Sequence, residues 1–178
     1  TVSPRILDLN QTIEGMLKML KRLIGENINL SWHPQTDLWP VNIDPTQVDQ
    51  ILANLCVNAR DAISDIGEIT IETDNVQLEE DDCKNMAGMK PGNYVLIRVS
   101  DSGCGMDKET IDNLFEPFYT TKGIGEGTGL GLAIVYGIVK QNNGYIYVDS
   151  ELDKGAHFNI YFPQYTAQAE TGAQKPDR

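Results

Sequence analysis

Helical and strand-like stretches do not alternate along this chain, and that order restricts its fold more than any other feature. Residues 8–24 repeat apolar side chains at helical spacing (Leu9, Ile13, Met16, Leu17, Leu20, Ile24), with Gly25 as a stop. Two short strands follow at 28–32 and 38–43. Asp44-Pro45 then reads as a helix start, with Asp at the N-cap and Pro in the first turn. That helix runs to about Ser64 behind Val48, Ile51, Leu52, Leu55, Ala59 and Ile63. Strands are expected at 68–75 and 94–101, around an acidic loop or poorly ordered turn over 77–91 that ends in Lys90-Pro91-Gly92. A glycine-rich stretch over 102–128 leads into a helix over 130–141. That helix is apolar nearly all round and therefore expected to be buried. A hairpin closes the series, 145–150 and 156–162 around Asp153-Lys154-Gly155. Such an order excludes a doubly wound parallel sheet. It predicts the α+β class, a two-layer α/β sandwich with a mixed sheet and helices on one face. The expected domain is residues 1–164, with a polar tail over 165–178.

The chain has 178 residues, enough for one well-buried domain, and no apolar run reaches the ~20 residues of a membrane span. Its start, Thr1-Val2-Ser3-Pro4-Arg5, has neither a signal-peptide pattern nor an initiator Met, so it is read as a piece of a longer chain. Against 14 Lys and Arg stand 26 Asp and Glu, a net charge of -12. That surface repels nucleic acid and anionic lipid, and any anionic ligand needs a local site of backbone N–H groups or a bound cation. Cys56, Cys83 and Cys104 show no metal-ligand spacing and fit a reducing, cytoplasmic setting.

Four groups of residues carry chemistry. Asn54, Asn58 and Asp61 share one side of a helix, either as oxygen ligands for a hard cation such as Mg²⁺ or as a solvated polar face. Asp101 continues the buried phase of Val95, Ile97 and Val99 into Ser102-Gly103-Cys104-Gly105-Met106. Its carboxylate either meets a donor such as the amino group of adenine or caps its own turn. Gly127-Thr128-Gly129-Leu130-Gly131-Leu132 opens a helix, where exposed N–H groups suit phosphate. It follows no strand and lacks the Gly-Lys-Ser/Thr ending of a P-loop. Phe115 and Phe118, with Thr121 and Lys122, lie in a loop that is either a lid over 113–128 or a surface loop pinned by aromatics.

Taken in order, Asn54-x-x-x-Asn58, Asp101-x-Gly103-x-Gly105, Phe115-x-x-Phe118 and Gly127-x-Gly129-x-Gly131 resemble the N, first glycine, F and second glycine boxes of the GHKL ATPases. The resemblance spans residues 5–163 and is closest to the catalytic ATP-binding domain of bacterial sensor histidine kinases, with its Bergerat-type fold. It implies ATP and Mg²⁺, with Asn58 on the metal and Asn54 beside it near the phosphates. It also implies Asp101 on the adenine amino group and Gly103, Gly105 and Met106 at the base. Gly127, Gly129 and Gly131 would hold the phosphates under the lid, with Lys122 a candidate contact to the γ-phosphate, and Asp61, Phe115, Phe118, Thr121, Thr128, Leu130 and Leu132 would complete the ATP-binding set. Asp61 stands where many members carry Lys, and Arg60 points round the helix from Asn58. Hydrolytic relatives (gyrase, the large heat-shock chaperones, the mismatch-repair ATPases) carry Glu at the place of Asn54. An amide takes no proton from water, so Asn54 favours phosphotransfer.

The acceptor His of a histidine kinase sits on a separate dimerisation helix, and neither His33 nor His157 has that setting. The resemblance therefore implies an N-terminal acceptor-His dimerisation domain, a homodimeric whole and a response regulator or fused receiver domain. The rival readings are a GHKL hydrolase or conformational switch, and a non-catalytic nucleotide-binding module.

Overall fold

The computed structural model describes residues 1–117, 119 and 129–167. Its elements are β1 (Arg5–Leu7), α1 (Leu9–Ile24), β2 (Ile28–His33), β3 (Val41–Ile43), α2 (Pro45–Ala62), β4 (Gly67–Leu78), β5 (Gly92–Asp101), α3 (Lys108–Asn113), α4 (Gly131–Gln141), β6 (Tyr145–Ser150) and β7 (Ala156–Pro163). Five strands form one sheet in the order β2-β4-β5-β7-β6. Only β2 and β4 pair in parallel. The sandwich is thus α+β with a mixed sheet, as its element order predicts.

The core lies between the sheet and the long helices. Ile71, Val99 and Phe158 stand in one row across β4, β5 and β7, and Ile97 and Ile160 in the next; all are buried. To the same core α1 contributes Leu9, Ile13, Met16, Leu20 and Ile24. Each fully buried aliphatic side chain contributes ~1.5–3 kcal/mol, whereas a cap is worth ~1 kcal/mol. The apolar face therefore holds α1 in place, and its caps, Asp8 and Gly25, set where it ends.

Four expectations need correction. The strand expected over 38–43 shrinks to Val41–Ile43, because Pro40 has no N–H to donate and Trp39 gives its own N–H to the Asn75 side chain at 2.8 Å. It pairs with β1, a three-residue strand too short to leave a periodicity. The acidic segment 77–91 is not an open loop. Strand β4 runs to Leu78, Asp81–Cys83 form a 3₁₀ turn, and the segment covers the outer sheet face. There Tyr94 and Tyr147 donate their hydroxyls to the Lys90 and Ala87 carbonyls at 2.7 and 2.9 Å. Tyr94, Tyr145, Tyr147 and Tyr161 meet edge to face, and burial pushes the Tyr94 hydroxyl up to about 12.

The last helix is not buried all round. Only Val135, Ile138 and Val139 of α4 are, whereas Ile134 and Tyr136 are 38% and 40% exposed. Its N-terminal half borders a cavity through Gly131, Leu132 and Ile134 as well as the core through Val135. Finally, α3 lies inside the glycine-rich stretch, capped by Asp107, whose carboxylate accepts the Thr110 N–H at 2.8 Å. At the far end, Tyr165 donates its N–H to Pro40, so the expected tail starts tied to the domain.

Candidate functional site

Helix α2 builds one wall of the site. Asp44 caps it, accepting N–H groups from Ser3 and Thr46 and the Thr46 hydroxyl at 2.8–2.9 Å; these bonds lower the Asp44 pKa. With Val48, Ile51, Leu52, Leu55, Cys56 and Ala59 in the core, the opposite side of the helix turns outward. Asn54, Asn58 and Asp61 on that side line a cavity of about 600 Å³, within the usual range of small-molecule sites. Arg60 lies at the rim. It donates to the Leu23 carbonyl at 3.0 Å and to Asp61 Oδ1 at 3.3 Å.

The end of β5 and the following loop form the second wall. Asp101 is 8% exposed, and one oxygen accepts the Gly103 N–H at 2.8 Å. Burial pushes its pKa up against the N–H groups of Gly103 and Ala156 and the charge of His157, and burial prevails. Asp101 caps its own turn, as one of the two sequence readings has it, and it also lines the cavity. The glycines serve close approach of the chain to itself. A Cβ on Gly103 would stand 2.7 Å from the Ala62 carbonyl. Gly105 has φ +68, and a Cβ there would run into the Glu151 carbonyl. The last carbonyls of a helix lack partners within it. Here the one on Ala62 accepts the Cys104 N–H at 2.9 Å, which docks the loop on α2.

The N-terminus of α4 is the third wall, with Gly129, Leu130, Gly131 and Leu132 lining the cavity. Gly129 has φ +69, a left-handed turn into the helix. Leu130, at the N-cap, has no side-chain oxygen with which to cap it. A Cβ on Gly131 would lie 3.6 Å from Asn54 Oδ1, so the start of α4 and the amide side of α2 meet at one end of the cavity.

Of the expected site residues, Asn54, Asn58, Asp61, Asp101, Gly105, Met106, Gly129, Leu130, Gly131 and Leu132 are thus brought together. Gly103 stands behind them. Phe115 does not line the cavity; its ring stacks on Tyr136 at 5.3 Å. Phe118, Thr121, Lys122, Gly127 and Thr128 lie outside the described residues, as does most of the expected lid. Sequence reasoning missed Val57, Ala62, Cys104, Thr110, Leu114, Tyr119, Ile134 and Ala156. Val57 and Cys104 sit inside the motifs, so they were within reach. The others come from the end of α2, α3 and its C-cap, the loop at Tyr119, α4 and the start of β7, where no spacing marks a binding role.

The donors suit a hard cation in one way only. Asn54 and Asn58 line the cavity, but the described residues hold no group of three or more His, Cys, Asp or Glu side chains placed to hold a metal ion. A cation completing its shell from phosphate and water fits; an all-protein cage does not.

A family model described as histidine kinase-, DNA gyrase B- and HSP90-like ATPase matches residues 43–166. The sensor kinase CckA of Brucella abortus (strain 2308) is 42% identical over 164 residues, which are 92% of this chain and 17% of that protein. The sensor histidine kinase ZraS of Escherichia coli (strain K12) is 35% identical over 158 residues, 88% of this chain and 30% of that protein. The chain thus spans less than a third of the length of either relative. Full-length ShkA in complex with AMPPNP superposes with a TM-score of 0.74 at 25% identity, covering 94% of this chain and 32% of that one. The catalytic domain of histidine kinase ThkA superposes with a TM-score of 0.69 at 25% identity, covering 91% of this chain and 96% of that one.

Proposed function

Because the chain belongs to the histidine kinase-, DNA gyrase B- and HSP90-like ATPases, as a histidine kinase-type catalytic domain of the kind found in sensor kinases, we propose that its cavity holds Mg·ATP and presents the γ-phosphoryl to a His of another domain. The observation that supports this reading is the meeting of Asn54 and Gly131 at one end of a cavity whose wall elsewhere carries the buried Asp101. Adenine lies against Asp101, Gly105 and Met106, its amino group donating to the carboxylate. The phosphates lie at the start of α4, where backbone N–H groups of the first turn and the helix dipole supply positive charge. Asn58, with Asn54 beside it, would hold Mg²⁺, which when bound neutralises phosphate charge.

Transfer forms a bond between an imidazole nitrogen of the acceptor and the γ-phosphorus, and breaks the bond from that phosphorus to the β–γ bridging oxygen; ADP leaves. The domain contributes position and charge stabilisation. An amide at Asn54 cannot act as a base toward water, which favours this reaction over hydrolysis. His33 ends β2 exposed. His157 Nδ1 lies 2.6 Å from Ser100 Oγ on the sheet. Neither is on a helix, so the acceptor comes from a dimerisation domain, and the phosphoryl passes on to a response regulator or fused receiver domain.

The test is radiolabelled ATP with the chain alone and then with an acceptor-His domain. Alone, the chain should bind ATP and release phosphate slowly, without labelling itself. Adding the acceptor should give labelled acceptor, weakly, because covalent linkage and its effective concentration are absent. Brisk phosphate release by the chain alone refutes the transfer reading in favour of a hydrolase. Stable self-labelling shows His33 or His157 to be the acceptor.

A further inference from the structure

The wall expected to face the adenine is held from behind by a relay outside the cavity. Ser150, at the end of β6, is half-buried and does not line the site; it lies behind Met106, which does. Its hydroxyl accepts the Met106 N–H at 2.9 Å and donates to the Gly155 carbonyl at 2.7 Å. The same peptide unit, Gly155–Ala156, lies against Asp101: Ala156 is its register partner across β5 and β7, and a Cβ on Gly155 would run into the Asp101 carbonyl. One hydroxyl therefore joins the loop after Asp101 to the peptide that pairs with Asp101 itself. A second bond, from the Asp153 N–H to the Cys104 carbonyl at 2.7 Å, ties the same loop and turn through the main chain. No side-chain substitution removes that one. Only the Ser150 bridge can be deleted by mutation, and only a short hydroxyl both accepts and donates at these distances.

We infer that Ser150 is a positioning residue for nucleotide binding, its hydroxyl bridge fixing the Met106 wall to the Gly155–Ala156 peptide that pairs with Asp101. The inference rests on the reading of the cavity as an ATP site. Removing the hydroxyl leaves the Met106 N–H and the Gly155 carbonyl without this partner, and the relay loses its link to Asp101. Partners behind a binding group are worth about ten-fold or more when removed.

The experiment measures ADP binding calorimetrically to the chain and to Ser150→Ala, Ser150→Thr and Asp101→Asn, with melting curves on each. Ser150→Ala should weaken ADP about ten-fold, equally with Mg²⁺ and in EDTA, since the relay lies at the base end. Ser150→Thr, which keeps the hydroxyl, should restore binding to within about two-fold. In combination with Asp101→Asn the losses should fall short of additive, because the two positions share the Gly155–Ala156 backbone as neighbour. A purely structural serine would lower the melting temperature without that pattern. Unchanged affinity in Ser150→Ala, equal losses in the Ala and Thr variants, strict additivity with Asp101→Asn, or a loss confined to Mg²⁺ would each overturn the inference. If the unsubstituted chain binds no ADP, the reading of the cavity fails first, and that result is distinct from all of these.

Discussion

Replacing Asp101 by Asn should separate binding from folding. The carboxylate is 8% exposed, and the net effect of its surroundings is to raise its pKa above 3.8. A carboxyl whose folded pKa is raised favours the fold in its neutral form. The stability it contributes is present below the unfolded pKa and lost as pH rises through the folded one. At neutral pH the free chain therefore holds this charge at a cost. The amide relieves that cost. It also turns one acceptor into a donor and so weakens the acceptance of the Gly103 N–H. The two effects oppose each other, and net stability should change by less than about 1 kcal/mol, a melting shift of about 2–4 °C. Binding has no such compensation. The adenine amino group now faces a donor, and a hydrogen bond to a charged acceptor is worth ~1.5–3 kcal/mol. Affinity should fall about 10- to 100-fold. The pH dependence runs the other way from stability: ATP binding by the unsubstituted chain should weaken as pH falls through the raised pKa, and the variant should lose that dependence. Titration calorimetry between about pH 4 and pH 8, with melting curves, checks all of this. Unchanged affinity refutes the adenine contact. A melting loss above about 8 °C would make Asp101 a structural group, and the loss of binding its consequence.

Two further outcomes follow from the same walls. Asn58→Ala should weaken ATP mainly when Mg²⁺ is present, because it lines the cavity and offers an amide oxygen among few other cation ligands; an equal loss in EDTA would show that it acts by packing. Cys104 is exposed and lines the cavity, whereas Cys56 is buried and its thiol is pushed up to about 12, so iodoacetamide near pH 8 should alkylate Cys104 and spare Cys56. With ATP at ten times its Kd that labelling, followed by mass spectrometry, should fall to about a tenth; an unchanged rate would put the nucleotide elsewhere.

Legibility of this fold in its sequence follows the size of each energetic signal. Helix α1 and the inner face of β5 bury whole periodic sets of side chains, and so their phase predicts both the element and the buried position of Asp101. Helix α4 shows the limit of the same reasoning. Apolar content all round it means burial only if something packs on every side, and here Ile134 faces a cavity while Tyr136 meets Phe115 near the surface. Pairing of β1 with β3, over three residues each, rests on backbone hydrogen bonds that carry no sequence pattern. The glycines are legible as exceptions but not in their purpose. Gly103 and Gly105 read as room for a ligand, yet what presses on them is protein backbone, the Ala62 and Glu151 carbonyls.

That distinction bears on how a chain of net charge -12 can hold a triphosphate. At physiological salt, fields from exposed carboxylates fade over ~8 Å, so groups at the site itself decide the outcome. Among described residues the cation at the cavity is Arg60, and its guanidinium is engaged by the Leu23 carbonyl and Asp61. What remains is the start of α4, which lines the cavity, and two amides that attract a cation without adding negative charge of their own. A carboxylate at position 54 would add a negative charge beside the phosphates and also a base toward water. The amide avoids both, so the choice that favours phosphotransfer also eases the binding of an anion by an acidic protein.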